Sequence, residues 1–281
     1  MPPLFTQREI PPRAMDGGPW ACCKDVGPGF SVLTLNVWFG EREQQARARA
    51  VAELIETMAP KVVALQEVTA PFLAVLGASR SIQERYWTSA LTVDDYGTLL
   101  LSSLPVSELY VAEIGGSMGR VMPWGVVSVG SERVAIGAVH LESGRHNAET
   151  RAEQLVECFA RLAPFEHAIL LGDTNFADGE PIEERALTAE WVDGWRATQP
   201  AGEPGYTRDT VANPMAASLR NGDVVQRRID RVLTRSTRFR ASKSALVGTE
   251  PIAPGVYASD HFGLFVELDA VTRLLVPTSR A

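Results

Sequence analysis

The stretches LTVDDYGTLLLSSLPVSELYV (91–111), VMPWGVVSV (121–129) and ERVAIGAVHL (132–141) decide the fold class. Their apolar runs are of strand length and are broken by Gly, Pro, Asp or Ser, so the segment 86–138 reads as an antiparallel meander. Working outward toward the N-terminus, VVALQEV (62–68) and FSVLTLNV (30–37) read as buried strands. Between them, 42–58 carries apolar residues at helical spacing, with Pro60 just beyond. On the other side, 147–162 reads as a helix with Asn147 as N-cap, and AILLGD (168–173) as a strand. Residues 176–226 are loop-rich with a short helix near 181–189; RIDRVLT (228–234) and HFGLFVEL (261–268) close the set of strands. The middle holds too many strands and too few helices for a simple βαβαβ winding, so the pattern predicts an α/β sandwich of sheet on sheet. The expected boundaries are a Pro- and Gly-rich lead-in over 1–29, strapped to the surface with Trp20 as an anchor, a single domain over 30–270, and a tail over 271–281.

Bulk properties narrow the class of protein. A chain of 281 residues with 45% apolar content fills one large core. No apolar run approaches the ~18–20 residues of a bilayer span, and Met1 to Arg13 hold no apolar stretch, so neither a membrane partner nor a secretory signal is expected. Three cysteines, Cys22, Cys23 and Cys158, fit neither a disulfide scaffold nor a zinc site, and an intracellular, cytoplasmic monomer is expected. The net charge of −7 argues against coating nucleic acid by bulk electrostatics, but not against meeting one nucleic-acid end in a local basic pocket. Lysine occurs only at 24, 61 and 243; the arginine bias suits bidentate phosphate contacts, and a GC-rich genome would produce the same bias. There is no GxGxxG after the first strand and no Gly-Lys-Ser/Thr, which excludes dinucleotide and P-loop readings.

The chemistry sits on four polar islands, Leu-Gln-Glu at 65–67, His-Leu-Glu-Ser at 140–143, Gly-Asp-Thr-Asn at 172–175 and Ser-Asp-His at 259–261, each attached to an apolar run. Glu67 stands at the carboxyl end of a strand, where a carboxylate is a natural ligand for Mg²⁺; alone, it reads as a surface residue opening a loop. Asp173 and Asn175 share a face if the backbone is extended, so the acid can activate water while the amide donates to a phosphoryl oxygen; alone, they read as a turn. Gly172 admits close approach of a ligand. His261 can neutralise transition-state charge if a carboxylate holds it; Asp230, an acid inside the apolar RIDRVL, is suited to that, with Asp260 adjacent. Asn36 and His140 end their strands as further donors, and Ser143 and Arg145 can hold a phosphate or equally form a solvated turn.

Taken together, N…LQE…HLES…GDTN…RID…SDH resembles the endonuclease/exonuclease/phosphatase (DNase I-like) superfamily over about 31–268. HLESGR (140–145), GDTN (172–175), YTRDTVANP (206–214) and SDHFGL (259–264) are most similar to type-2 tyrosyl-DNA phosphodiesterases. The resemblance implies a four-layer α-β-β-α sandwich with two packed, mostly antiparallel sheets. It also implies Mg²⁺-dependent hydrolysis, with Mn²⁺ as a substitute, of a phosphodiester between a DNA or RNA 5′ end and a phenolic oxygen, as in DNA repair. By position, Glu67 would bind metal and Asp173 would orient water. Asn36, Asn175, His140 and His261 would grip the phosphate, Asp230 and Asp260 would position them, and Ser143 and Arg145 would contact substrate. Three positions depart from the pattern: Trp38 stands where many members have Asp, Ala177 where the tyrosyl-DNA enzymes have Arg, and Arg208 where they have Trp. The last two positions serve DNA binding, and Arg208 supplies a different cation. Two alternatives follow: the same chemistry on a small phosphoester, phospholipid or inositol phosphate, and a non-catalytic binding module.

Overall fold

In the computed structural model, which describes residues 7–14, 29–90, 93–218 and 223–271, the chain pairs its strands into two large sheets. Its elements run β1 (Gln7–Glu9), β2 (Arg13–Ala14), β3 (Phe30–Asn36), α1 (Gln44–Met58), β4 (Val62–Val68), α2 (Ala70–Ala78), α3 (Arg80–Arg85), β5 (Trp87–Thr88) and β6 (Gly97–Ser102). Next come β7 (Val106–Glu113), β8 (Val121–Val129), β9 (Glu132–His140), α4 (Ala148–Leu162) and β10 (His167–Asp173). The remainder is α5 (Pro181–Ala186), β11 (Val192–Asp193), α6 (Gly194–Thr198), β12 (Arg208–Asp209), α7 (Pro214–Ser218), β13 (Gln226–Arg227), β14 (Asp230–Arg235), β15 (Phe239–Val247) and β16 (Gly263–Ala270).

One sheet has the order β1-β7-β8-β9-β10-β14-β11 and the other β15-β16-β3-β4-β6-β5-β2. Each is antiparallel except at its centre, where β9 with β10 and β3 with β4 run parallel. Those pairs are bridged by α4 and α1, because parallel neighbours need a crossover that a helix supplies. Strand β3 explains the layering: Val32 joins the core between the sheets, while Leu33 and Leu35 point the other way, onto Val51, Ile55 and Phe72 of the helical layer. On the opposite side, Val139, Leu141 and Leu170 pack on Leu155, Cys158 and Leu162 of α4. The result is the four-layer α-β-β-α sandwich.

Several sequence expectations change in detail. The stretch 86–138 is not one meander: β5 and β6 belong to one sheet, and β7, β8 and β9 form the meander in the other. Helices α2 and α3 are not anticipated by the periodicity, although Thr69 and Ser79 cap them by accepting from Phe72 N and Ile82 N. Strand β15 is not anticipated either, because one of its faces is exposed and polar. Asn147 stands at the N-cap position of α4 but makes no capping bond; its side chain donates to Ser143 O at 2.6 Å. The described part of the lead-in is β-structure, with β1 pairing on the edge strand β7 and β2 on β5. Trp20, Cys22 and Cys23 lie outside the described residues, as does the tail beyond Val271. No helix among the described residues is long and apolar enough to cross a membrane.

Candidate active site

The carboxyl ends of the two parallel pairs meet. Asn36 closes β3 and Asp173 closes β10 of the opposite sheet, and Asn36 Nδ2 donates to Asp173 Oδ2 and to Glu67 Oε1, at 3.0 Å each. Its amide is fixed the right way round because Trp38 N donates to Asn36 Oδ1 at 3.0 Å. One buried amide thus holds two carboxylates from different sheets. Glu67 lies within β4 rather than beyond its end, at a register shift between Leu65 and Val68, with φ 61°. Such a bulge re-aims a side chain at the rim of a sheet. Trp38 and Asn175 are also left-handed, both at φ 56°, so three strained backbone positions surround one cleft.

Asp173 and Asn175 come together through a turn and not through extended spacing, with Asn175 N donating to Asp173 Oδ1 at 2.9 Å. Asn175 Nδ2 donates to Leu141 O at 3.0 Å, which aims the amide along the cleft wall. Gly172 serves strand packing and not, as its place beside the acid suggests, the approach of a ligand. A Cβ there would stand 1.9 Å from Val139 O of the neighbouring strand.

The imidazoles have different environments. His140 Nε2 lies 3.5 Å from Asp173 Oδ2 and 4.0 Å from Glu67 Oε1. Burial, then the charge of Arg120, whose Nη1 is 3.1 Å from His140 Nδ1, push it well below the usual histidine range, so it is neutral. His261 Nδ1 donates to Asp230 Oδ2 at 2.9 Å. Burial lowers its pKa, but Asp230, Asp260 and Asp173 together carry it up to about 9. Arg208 opposes that: its Nη1 donates to His261 Nε2 at 3.1 Å, a contact only the neutral ring accepts, while its Nη2 donates to Asp260 Oδ2 at 3.0 Å. The contact geometry fixes the tautomer of this arrangement, and the three carboxylates favour the imidazolium once Arg208 moves. Asp230 is held through its main-chain N–H, which donates to Thr207 Oγ1 at 3.1 Å. Burial, then the charge of Asp230, raises the Asp173 carboxyl to about 6.

The cleft has a volume of about 550 Å³. Glu67, His140, Ser143, Arg145, Asp173, Asn175, Arg208 and Asp260 line it, and Asn36, Asp230 and His261 lie buried around it. Four lining residues are not evident from the sequence. Arg120 precedes a buried strand, Arg227 precedes the RIDR stretch, and Phe39 and Tyr96 stack with centroids 5.0 Å apart and planes 11° apart. Their only signal is polarity or aromaticity beside an apolar run. Glu142, by contrast, accepts from Ser117 N and Oγ at 2.9 and 2.6 Å and serves the loop beneath it.

The donor set suits a hard divalent cation. Ligand atoms of Asp173, Asp230 and His261 lie within 4.8 Å of one another, and Asp230 Oδ1 is buried without a hydrogen-bond partner. Glu67 adds a third, more open carboxylate, held by the same Asn36 amide as Asp173. Close carboxylates of this kind call for positive charge.

Sandwich and site together define a hydrolase of the two-sheet type. Residues 33–261 match the Endonuclease/Exonuclease/phosphatase family, and the chain belongs to it. Among curated relatives, it is 28% identical over 254 residues to tyrosyl-DNA phosphodiesterase 2 of Xenopus laevis, covering 86% of this chain and 67% of that one. It is 30% identical over 237 residues to the Mus musculus protein of the same name, covering 80% and 62%. Two solved structures share the fold at TM-score 0.75: Danio rerio TDP2 humanized by 14 mutations (24% identical, 86% and 100% covered) and truncated Caenorhabditis elegans TDP2 (23% identical, 88% and 100% covered).

Proposed function

We propose that this chain is a divalent-cation-dependent phosphodiesterase that cleaves the bond between a nucleic-acid 5′ phosphate and a phenolic oxygen, with Mg²⁺ as the cation and Mn²⁺ as a substitute. The observation that carries it is Asn36 gripping Glu67 and Asp173 at 3.0 Å each, beside two imidazoles. The curated relatives named for tyrosyl-DNA phosphodiesterase activity support the substrate class.

In this reading Glu67 holds the cation, with Asp173 and Asp230 behind it; bound there, the ion would offset charge on a non-bridging phosphoryl oxygen. Asp173, which a neighbouring cation would keep ionised, orients the attacking water and accepts its proton. Neutral His140 and the amide of Asn175 donate to the phosphoryl oxygens. The incoming phosphate displaces Arg208 from His261 Nε2, and the freed imidazole, held by Asp230, takes a proton and faces the developing charge. Asp260 anchors Arg208, while Arg120, Ser143 and Arg145 supply further phosphate donors on the cleft wall. The catalytic domain spans 30–270, and the protein works as an intracellular monomer.

Release of p-nitrophenol from thymidine 5′-(p-nitrophenyl phosphate) tests the reading. Activity is expected to vanish with EDTA and to fall below about a tenth in Asp173→Ala. A pure, folded Asp173→Ala protein above that level would remove the role given to Asp173. The net charge of −7 and the Ala177 and Arg208 departures favour a second reading, the same chemistry on a phospholipid or inositol phosphate. Turnover of those esters far above any nucleic-acid turnover would decide for it.

A further inference from the structure

The short ribbon β12–β13 carries an arrangement that its own stability does not explain. Arg208 and Arg227 stand directly opposite each other across the two strands, so their side chains share a face, and both line the cleft. Like charges directly opposite destabilise an antiparallel pair. The neighbouring cross-strand pair, Asp209 with Gln226, is complementary: Gln226 Nε2 donates to Asp209 Oδ2 at 3.1 Å. The two cations therefore sit on the cleft side of a ribbon whose other pair is matched.

Among the described residues each arginine pairs with one carboxylate, Asp260 for Arg208 at 3.0 Å and Glu180 for Arg227 at 2.5 Å. Arg208 spends Nη1 on a neutral imidazole, and its Nε is buried with no hydrogen-bond partner. A guanidinium presents five donors in a plane, and a phosphate can take two at once. Donors remain for an anion that is not the scissile phosphate: Arg208 contacts His261 and Asp260, whereas Arg227, opposite it on the paired strand, pairs with Glu180 and lines the cleft next to Val225.

We infer that Arg227, with Arg208 across the ribbon, forms a second anion subsite that takes the phosphate next to the scissile one, so that the preferred substrate is a nucleotide bearing phosphate on both its 5′ and 3′ oxygens. The inference rests on the proposed reading of the cleft as the hydrolytic site. It makes Arg227 a specificity residue for substrate length.

Calorimetric titration of the full chain with thymidine 3′,5′-bisphosphate and with thymidine 5′-monophosphate separates the two claims. The wild type is expected to bind the bisphosphate at least about tenfold more tightly, with a steeper salt dependence. In Arg227→Gln the ratio is expected to fall below about twofold, and Arg227→Lys to recover part of it. Equal affinities in the wild type, or an undiminished ratio in a folded Arg227→Gln protein, would overturn the subsite. Hydrolysis of the nitrophenyl ester is read separately. A chain that cleaves the ester but shows no bisphosphate preference loses only the subsite; one that prefers the bisphosphate but never cleaves the ester loses the catalytic reading.

Discussion

At the scale of single residues, Asn36 and Gly172 carry more of the site than their types suggest. Asn36 is the only amide that touches both Glu67 and Asp173 among the described residues, and leucine in its place removes two donors, one from the buried Asp173 and one from the half-buried Glu67. Asn36→Leu is expected to lower kcat/KM by about 10²-fold or more, as loss of a preorganised donor does in other hydrolases. A loss of less than about fivefold in steady-state kinetics would mean that the two carboxylates hold their places unaided. Gly172→Ala acts on the fold instead. Its φ of 149° and the 1.9 Å approach to Val139 O leave no room for a methyl group unless β9 and β10 move apart. A destabilisation of at least about 3 kcal/mol is expected in urea melts. An unchanged unfolding midpoint would contradict the packing account. Both residues are legible as strand-end features, but what each touches is not. Asn36 meets Asp173 across 137 positions of sequence, and Gly172 meets a backbone carbonyl, which leaves no trace in residue type.

At the scale of elements, legibility follows burial. Strands β3, β4 and β10, apolar on both faces, stand out as unbroken runs, and so do the residues that end them. Strand β15, half exposed, and the short strands β1, β2, β12 and β13 do not, because a polar face or a length of two or three residues carries no clear periodicity. The strands β1 and β2 guard edges. β1 covers β7 with the register Gln7 to Ala112, and Ile10 N donates to Leu109 O at 2.8 Å. Unpaired edge strands invite association with other chains. A chain lacking residues 1–14 is therefore expected to keep its activity per folded molecule and to form higher oligomers as concentration rises, in light scattering and gel filtration. A truncated protein that remains as monodisperse as the full chain would show that β1 and β2 protect nothing.

At the scale of the molecule, two sheets press carboxylates and imidazoles from distant strands into one volume, and stability and activity then titrate together. Asp173, raised to about 6 from 3.8 by burial and by Asp230, favours the fold most when protonated. Its contribution is complete below pH 3.8 and is lost as pH rises through about 6. Once Arg208 gives up its Nε2, His261 is raised to about 9 from 6.5, and its protonation then adds stability below 6.5 that is lost as pH rises through about 9. A cation-free protein is thus expected to melt at steadily lower temperature between pH 5 and pH 9, each tenfold gain in proton affinity on folding being worth about 1.4 kcal/mol. Millimolar Mg²⁺ should reverse most of the loss above pH 6, where Asp173 is ionised. Activity runs the other way on its acid side: kcat/KM should rise as Asp173 ionises, with the limb below the cation-free value of about 6 because a bound cation favours the carboxylate. Asp230→Asn removes the neighbouring charge, so the acid limb should move to lower pH even as kcat falls with the loss of the His261 partner. A limb that stays in place in that variant would assign it to a group other than Asp173.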